Sequence, residues 1–283
     1  MFEEIYKLIK STASKRNLKE STVDAYCVTI HHFMSSVGKT DLSDLTVHDV
    51  DVFLQKKRIN GISPQTYNHY LSAIRFLYKR ILKIYLDEED FPRMKKDIHL
   101  PVVLSRDEVE ALLDATVNLK HKTMLATMYS AGLRVSELTH LHYCDISRTK
   151  KSIHVRDTKS RNERYTLLAD RTLKLLTQYW FEYGKPMNIL FPSSRSGSYI
   201  RIDSMNQLIK ASARRAGINK KVTTHCLRHS FASHLLESGC DIKYIQSLLG
   251  HRDPKSTEVY LHVSDKTLLG IRSPFDDMEV KYE

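Results

Sequence analysis

TTHCLRHSFASHLLESG, residues 223–239, predicts a helix with a threonine cap at its start and Gly239 at its end. His225 and Arg228 lie three positions apart, so both side chains project from one face of the first turn. That turn also exposes backbone N–H groups and the positive end of the helix dipole, which favour a bound phosphate. The stretch therefore predicts a helix start that binds an anion.

A metal pair is the alternative for this helix, because His225 and His229 stand four positions apart. No third ligand follows at a spacing that would complete a site. We therefore expect neither a metal ion nor a cofactor.

The next segment carries a histidine and a tyrosine. DIKYIQSLLG (241–250) predicts a short amphipathic helix closed by Gly250, which delivers His251 into a loop. Tyr260 follows on the next predicted helix. A tyrosine at such a position is usually half-buried packing, so the pattern alone leaves its role open.

An upstream segment, AGLRVSELTHL (131–141), places Arg134 between the turn residue Gly132 and a predicted helix. Val135, Leu138 and Leu141 would form the buried stripe of that helix. Glu137 stands three residues after Arg134, and such a pair at a helix start is most often structural.

Two strand-like runs, residues 152–157 and 164–168, flank a short polar loop and predict a β-hairpin. The loop region RDTKSRNER (156–164) holds Lys159 near its tip and Arg161 beside it. A lysine there could donate a proton to a leaving oxygen, and a solvated charged turn is the alternative.

The first ninety residues show helical periodicity. Ser21 predicts one helix start, and Thr46 with Asp49 forms the pattern of a capping box at another. Ser63 followed by Pro64 predicts a third, since the missing N–H of proline is harmless at the first helical position.

The stretch DEEDFPRMKKDIHLPVVL (87–104) contains two prolines, changes from acids to bases and shows no periodicity. We therefore expect a helical domain over residues 1–90, a linker over 91–104 and a second domain over 105–283. Ser105 provides the cap for the first helix of that second domain.

Composition narrows the function classes. The 283 residues carry a net charge of +11, which favours a polyanionic partner such as nucleic acid. The four cysteines are far apart, so neither a disulfide framework nor a zinc module is indicated. No long apolar run and no signal peptide is evident, and we expect a cytoplasmic protein without a membrane partner.

Taken jointly, the chemistry-bearing segments resemble the boxes of the tyrosine recombinase (phage integrase) family, especially its minimal Xer-like members. The resemblance rests on Arg134 in GLRVSEL, the HCLRH run, the LLGH element, and Tyr260 nine residues beyond His251. It covers essentially the whole chain. The hairpin departs from it, because the family usually shows GKGxKxR where this chain has DTKSRNER; alignment on the final ER selects Lys159.

The resemblance implies six catalytic residues: Arg134, Lys159, His225, Arg228, His251 and Tyr260. The two arginines would clamp the scissile phosphate, and the tyrosine would attack its phosphorus. His225 would take the tyrosine proton, and His251 would donate a hydrogen bond to the phosphate. Lys159 would protonate the departing 5′ oxygen.

The resemblance also implies the architecture and the assembly. The fold would be mainly α with a small β-hairpin, in which a helical SAM-like core-binding domain and an α+β catalytic domain clamp duplex DNA as a C. Four protomers would exchange strands through a Holliday junction at a recombination site, with a partner recombinase or accessory factor as a further option.

Three other functions compete with recombination. A type IB topoisomerase shares the cleavage chemistry, and a catalytically inactive DNA-binding factor shares the scaffold. A metal-dependent nuclease would need acidic clusters that the sequence does not show. Resolution of DNA multimers and integration or excision of a mobile element both remain open as the biological role.

Overall fold

The structure is a computed structural model that describes residues 2–95, 100–156, 163–194 and 196–250. The chain divides into two compact units between residues 99 and 100. Within the described ranges, no helix combines the length and the apolar character needed to cross a bilayer. Each unit has its own hydrophobic core.

The first unit is built from helices. They are α1 (Phe2–Ser14), α2 (Glu20–Ser36), α3 (Val47–Ile59) and α4 (Pro64–Phe76), and α4 runs on as a π-helical segment, Leu77–Leu82. The helical character predicted for this region is confirmed.

Local capping chemistry explains where two of these helices begin. The Thr46 side chain accepts from the N–H of Asp49, and the Asp49 carboxylate accepts from the N–H of Thr46, so the predicted capping box is present. Ser63 caps α4 with Pro64 in its first turn, as predicted. Ser21 is wrong as the cap of α2. The backbone turns helical after Lys19, which places the negative charge of a glutamate in the first turn.

Aromatic rings fill the core of the first unit. The Phe33 and Phe53 ring centroids are 5.2 Å apart at an interplanar angle of 76°, an edge-to-face contact. Tyr78 is fully buried, and its hydroxyl donates to the Thr46 carbonyl oxygen at 2.7 Å. Burial raises the pKa of Tyr78, so this phenol stays protonated and serves as a donor.

Both ends of the segment expected to be a linker are anchored. Phe91 is buried in the first core, and the Asn68 side chain exchanges hydrogen bonds with the backbone of Met94. Leu104 is buried in the second core, and its N–H donates to the Ser230 hydroxyl. The anchors of each unit therefore extend into residues 91–104.

The second unit contains the remaining helices and all the strands. The helices are α5 (Arg106–Asp114), α6 (Leu119–Ala131), α7 (Val135–Thr139), α8 (Asp170–Glu182), α9 (Ile202–Arg215), α10 (Thr224–Glu237) and α11 (Ile242–Leu249). The strands are β1 (Ile146–Ser147), β2 (Ser152–Val155) and β3 (Arg164–Leu167), and a 3-10 turn, Tyr143–Asp145, precedes β1.

Helix α6 runs through the middle of this unit and contacts α8 and α10. It is buried on nearly all sides, and the hydroxyls of Thr123 and Thr127 donate to carbonyl oxygens four residues earlier in the helix. A polar residue is tolerated there because its only donor is satisfied locally.

The strands form an antiparallel sheet in the order β1-β2-β3, with Ile153 opposite Thr166 and Val155 opposite Arg164. The predicted hairpin is therefore confirmed. The two-residue strand β1 was not predicted, because it is too short to show an alternating pattern. Ile153 and Val155 point into the core, which fixes the side of the sheet that faces α6.

Candidate active site

Arg134 occupies the N-cap position of α7 because the chain must turn sharply just before it. Gly132 has φ +61, and a Cβ there would lie 2.4 Å from Cδ1 of Phe231 on α10. Only glycine combines that backbone conformation with so close an approach. The turn therefore delivers Arg134 beside α10, with 38% of its side chain exposed.

Glu137, one turn into α7, is the centre of the site. Its carboxylate accepts from Nη1 of Arg134 at 2.7 Å and from the Arg134 backbone N–H at 2.7 Å. Only 7% of the side chain is exposed. Burial alone would raise the pKa of Glu137, but the hydrogen bond and charge of Arg164 and the N–H of Arg134 lower it to about 2. The carboxylate is ionised at any physiological pH.

Arg164, the first residue of β3, faces the same carboxylate from the opposite side. Its Nη1 lies 2.9 Å from Oε1 and its Nη2 2.8 Å from Oε2 of Glu137, which is a bidentate pair. Its Nε donates to the carbonyl oxygen of Leu248 at 2.7 Å. One guanidinium thus connects the sheet, α7 and the end of α11.

Arg228 reaches the site from the first turns of α10. Its Nη1 donates to the Gly132 carbonyl oxygen at 2.8 Å, and its Nη2 donates to that of Leu249 at 2.7 Å. Its Nη1 also lies 3.6 Å from Oε2 of Glu137. The predicted pair Arg134 and Arg228 is therefore brought together on one carboxylate, although the two residues are distant in sequence.

The histidines of α10 differ in exposure. His225 is exposed in the first turn, and His229 is half-buried one turn later. Burial, together with the charges of His225 and Arg228, lowers the pKa of His229 to about 4. His229 is therefore neutral at physiological pH. Among the described residues, no group of His, Cys, Asp or Glu side chains is placed to hold a metal ion.

Three predicted site residues, Lys159, His251 and Tyr260, lie outside the described residues. Described residues that flank Lys159 and His251 in the sequence are placed at the site. Arg164 follows the loop that contains Lys159, and Gly250, which closes α11 with φ +65, directly precedes His251. An added Cβ at Gly250 would lie 2.8 Å from Cδ of Arg164, so the Arg164 side chain packs directly against this glycine.

The positive charges of the guanidinium groups outnumber the negative charge of the carboxylate at this site. Arg134, Arg164 and Arg228 surround the single carboxylate of Glu137, so these four side chains carry three positive charges and one negative charge. A cluster of this kind suits a phosphate diester, which brings one negative charge shared by two non-bridging oxygens that accept hydrogen bonds.

The sequence alone did not indicate how much Glu137 and Arg164 contribute to this site. Glu137 entered only as the partner of Arg134, and Arg164 only as the end of an aligned ER pair. The signal that could have found Arg164 is its place at the start of a strand whose next inward position, Thr166, is buried. The carbonyl acceptors of Gly132, Leu248 and Leu249 carry no side-chain signal at all.

The family model for the phage integrase family matches residues 102–267, and the model for the phage integrase N-terminal SAM-like domain matches residues 5–88. The chain belongs to the phage integrase family. A tyrosine recombinase of Thermosipho africanus is 32% identical over 268 residues, covering 90% of this chain and 93% of the relative. Tyrosine recombinase XerD of Yersinia pestis is 32% identical over 272 residues, covering 90% of each.

Among solved structures, this recombinase is similar to a lambda integrase dimer bound to a COC′ core site. The TM-score is 0.73 at 18% identity, covering 91% of this chain and 93% of that one, and this likeness supports the fold. The prediction of a tyrosine recombinase, an enzyme that cuts and rejoins DNA, is confirmed, as is the mainly helical fold with a SAM-like domain before the catalytic one.

Proposed function

We propose that this recombinase acts at a specific duplex DNA site through a covalent 3′-phosphotyrosyl intermediate, with Tyr260 as the nucleophile and Arg134 and Arg228 as the phosphate clamp. The observation that carries the proposal is the convergence of both arginines on Glu137. A shared carboxylate fixes the spacing of two guanidiniums that originate on different helices.

The two arginines have complementary environments. The Arg228 side chain is 5% exposed and is anchored by two backbone carbonyl oxygens, so its position is set before any substrate binds. Arg134 is more exposed and reaches toward solvent from the N-cap of α7. Together they would hold the non-bridging oxygens of the scissile phosphate and stabilise the charge of a pentavalent transition state.

The proposed transfer needs neither a metal ion nor ATP, because side chains of the protein accept and donate every proton. The Tyr260 phenol oxygen forms a bond to phosphorus, and the bond from phosphorus to the 5′ oxygen breaks. His225 takes the phenol proton, Lys159 gives a proton to the 5′ oxygen, and His251 donates a hydrogen bond to the phosphate. A phenol with an unperturbed pKa of roughly 10 needs such a base at neutral pH.

Rejoining reverses these roles. The free 5′ hydroxyl of the same or another strand attacks the phosphotyrosine and gives its proton to Lys159, while Tyr260 leaves and His225 returns the phenol proton. Because the phosphodiester bond energy is kept in the covalent link, exchange between strands needs no added energy source. We propose that four protomers carry out this exchange through a Holliday junction, in the cytoplasm, with residues 1–90 gripping DNA alongside the catalytic domain.

The test begins by finding the DNA. Tagged Tyr260→Phe protein is used to recover genomic fragments, and the recovered repeats are synthesised as nicked duplexes with one labelled strand. Wild-type protein is expected to form an adduct that survives denaturing gel electrophoresis and disappears on protease treatment. Tyr260→Phe is expected to bind the same duplexes and form no adduct.

The matched control is Tyr244→Phe, which removes a phenol that is 70% exposed on α11. This variant should form the adduct at the wild-type rate. An adduct from Tyr260→Phe would contradict the assignment of the nucleophile. Failure of the wild-type protein to react with any recovered duplex would refute the proposed function itself.

A further inference from the structure

Arg164 has three separate hydrogen bonds to two different elements. Nη1 and Nη2 bind the two oxygens of Glu137, and Nε binds the carbonyl oxygen of Leu248 at the end of α11. The side chain is 9% exposed. Every nitrogen of this guanidinium is thus bonded within the protein, whereas the Arg134 side chain is 38% exposed.

The carboxylate of Glu137 is saturated by this arrangement. Oε1 accepts from Nη1 of Arg134 and from Nη1 of Arg164, and Oε2 accepts from the Arg134 backbone N–H and from Nη2 of Arg164. A carboxylate offers about four acceptor positions, so these four bonds fill them. Arg228, at 3.6 Å, lies just beyond hydrogen-bond range.

Removal of Arg164 would leave two acceptor positions empty in a buried site, which is energetically costly. The nearest remaining donors are the guanidiniums of Arg134 and Arg228. The carboxylate would then recruit these two groups more strongly, and both would move away from the place where a phosphate binds.

Packing fixes the other end of the Arg164 side chain. Its Cδ lies 2.8 Å from the point where a Cβ at position 250 would stand, so the stem packs directly against the glycine that closes α11. The Nε bond to Leu248 holds the same turn. The next backbone carbonyl, that of Leu249, accepts from Arg228. Arg164 and Arg228 therefore donate hydrogen bonds to the consecutive carbonyl oxygens of Leu248 and Leu249.

We propose that Arg164 is a positioning residue for DNA cleavage: it holds the Glu137 carboxylate in place so that Arg134 and Arg228 keep the positions from which they bind the phosphate, and it holds the end of α11 against α7. This inference rests on the proposed function. It makes the β3 strand, and not only the two helices that carry the clamp, part of the catalytic machinery.

The test compares Arg164→Met, which keeps the stem and removes the charge, with Arg164→Lys, which keeps the charge and loses the fork. The substrate is the nicked duplex recovered with Tyr260→Phe protein, and the readouts are duplex affinity, the fraction of protein that reacts, and the single-turnover rate of adduct formation. Arg164→Met is expected to react about 100-fold more slowly, the scale of loss when a catalytic group is misplaced by about 1 Å. Affinity and reactive fraction should stay at the wild-type level.

A double variant separates positioning from plain stability. Glu137→Gln combined with Arg164→Met removes both charges, so the carboxylate no longer competes for the clamp, and the rate should recover part of the loss. Arg164→Lys should lie between wild type and Arg164→Met, because an ammonium cannot reproduce the bidentate geometry. Lys151→Met is the matched control, since it breaks an exposed ion pair with Asp170 beside the same sheet, and it should react normally.

Three outcomes would overturn the proposal. The first is a parallel fall of affinity, reactive fraction and rate in Arg164→Met, which would indicate a structural role. The second is a double variant no faster than Arg164→Met, and the third is an Arg164→Lys rate equal to wild type, which decides the matter if Arg164→Met does not fold. A wild-type protein that forms no adduct refutes the proposed function instead.

Discussion

Two buried clusters, one in each unit, are stabilised by different forces. In the first unit, Phe33 and Phe53 pack edge to face among apolar side chains, and burial of this kind is non-directional. In the second unit, Glu137 lies among the guanidiniums of Arg134, Arg164 and Arg228 beside an apolar core. Burying charges costs free energy even when they are paired. We therefore expect the ionic cluster of the second unit to serve the proposed chemistry and the apolar cluster of the first unit to serve stability.

This contrast predicts that similar substitutions have different consequences in the two units. An arginine removed from the ionic cluster should mainly slow the reaction, whereas an aromatic ring removed from the apolar cluster should mainly lower stability.

Arg228→Met should slow adduct formation by about 1,000-fold, or about 4 kcal/mol, because a preorganised charge on the transition state is lost. The measurement is the single-turnover rate on the nicked duplex at saturating protein. Arg75→Met in the first unit is the matched control. Arg75 also joins a carboxylate, that of Glu88, to a backbone carbonyl oxygen, that of Phe91. It should react at the wild-type rate, and a comparable loss there would break the contrast between the units.

Phe53→Ala should lower the free energy of unfolding of the first unit by about 3 kcal/mol, since a buried ring is replaced by a cavity. The chain has one tryptophan, Trp180, which lies in the second unit, so its fluorescence reports on that unit alone. Circular dichroism should show an earlier urea transition while the Trp180 transition stays in place.

The control for this experiment is Ile59→Ala on the same helix, because Ile59 is 85% exposed and its truncation opens no cavity. If Phe53→Ala shifted the fluorescence transition as much as the circular dichroism, the two units would unfold together and the comparison would need revision.

Glu137→Gln should change the acid sensitivity of the second unit. The folded pKa of about 2 lies below the ordinary value of 4.5, so the ionised carboxylate contributes stability that is complete above about pH 4.5 and is lost as the pH falls toward 2. The Tm of the wild type should therefore fall more steeply over this range than that of Glu137→Gln. Glu110→Gln, which removes an exposed carboxylate, should follow the wild-type slope.

Sequence reasoning succeeded where local chemistry decides the structure. The capping box at Thr46, the cap at Ser105 and the serine–proline start of α4 depend on residues within one turn of each other. It failed at the start of α2, where no side-chain cap exists, and at β1, where two residues pair only because β2 lies beside them. Both cases depend on neighbours that a local pattern does not contain.

The sequence by itself determined the recombinase class, the helical fold with its hairpin, and the pair Arg134 and Arg228, because motifs and periodicity are properties of the chain read in order. Only the tertiary structure decided that both arginines lie beside Glu137 and that Arg164 binds the same carboxylate. It also decided that the carbonyl oxygens of Gly132 and Leu249 accept hydrogen bonds from Arg228. Backbone acceptors carry no residue identity, and a buried ionic bond depends on geometry that no spacing along the chain encodes.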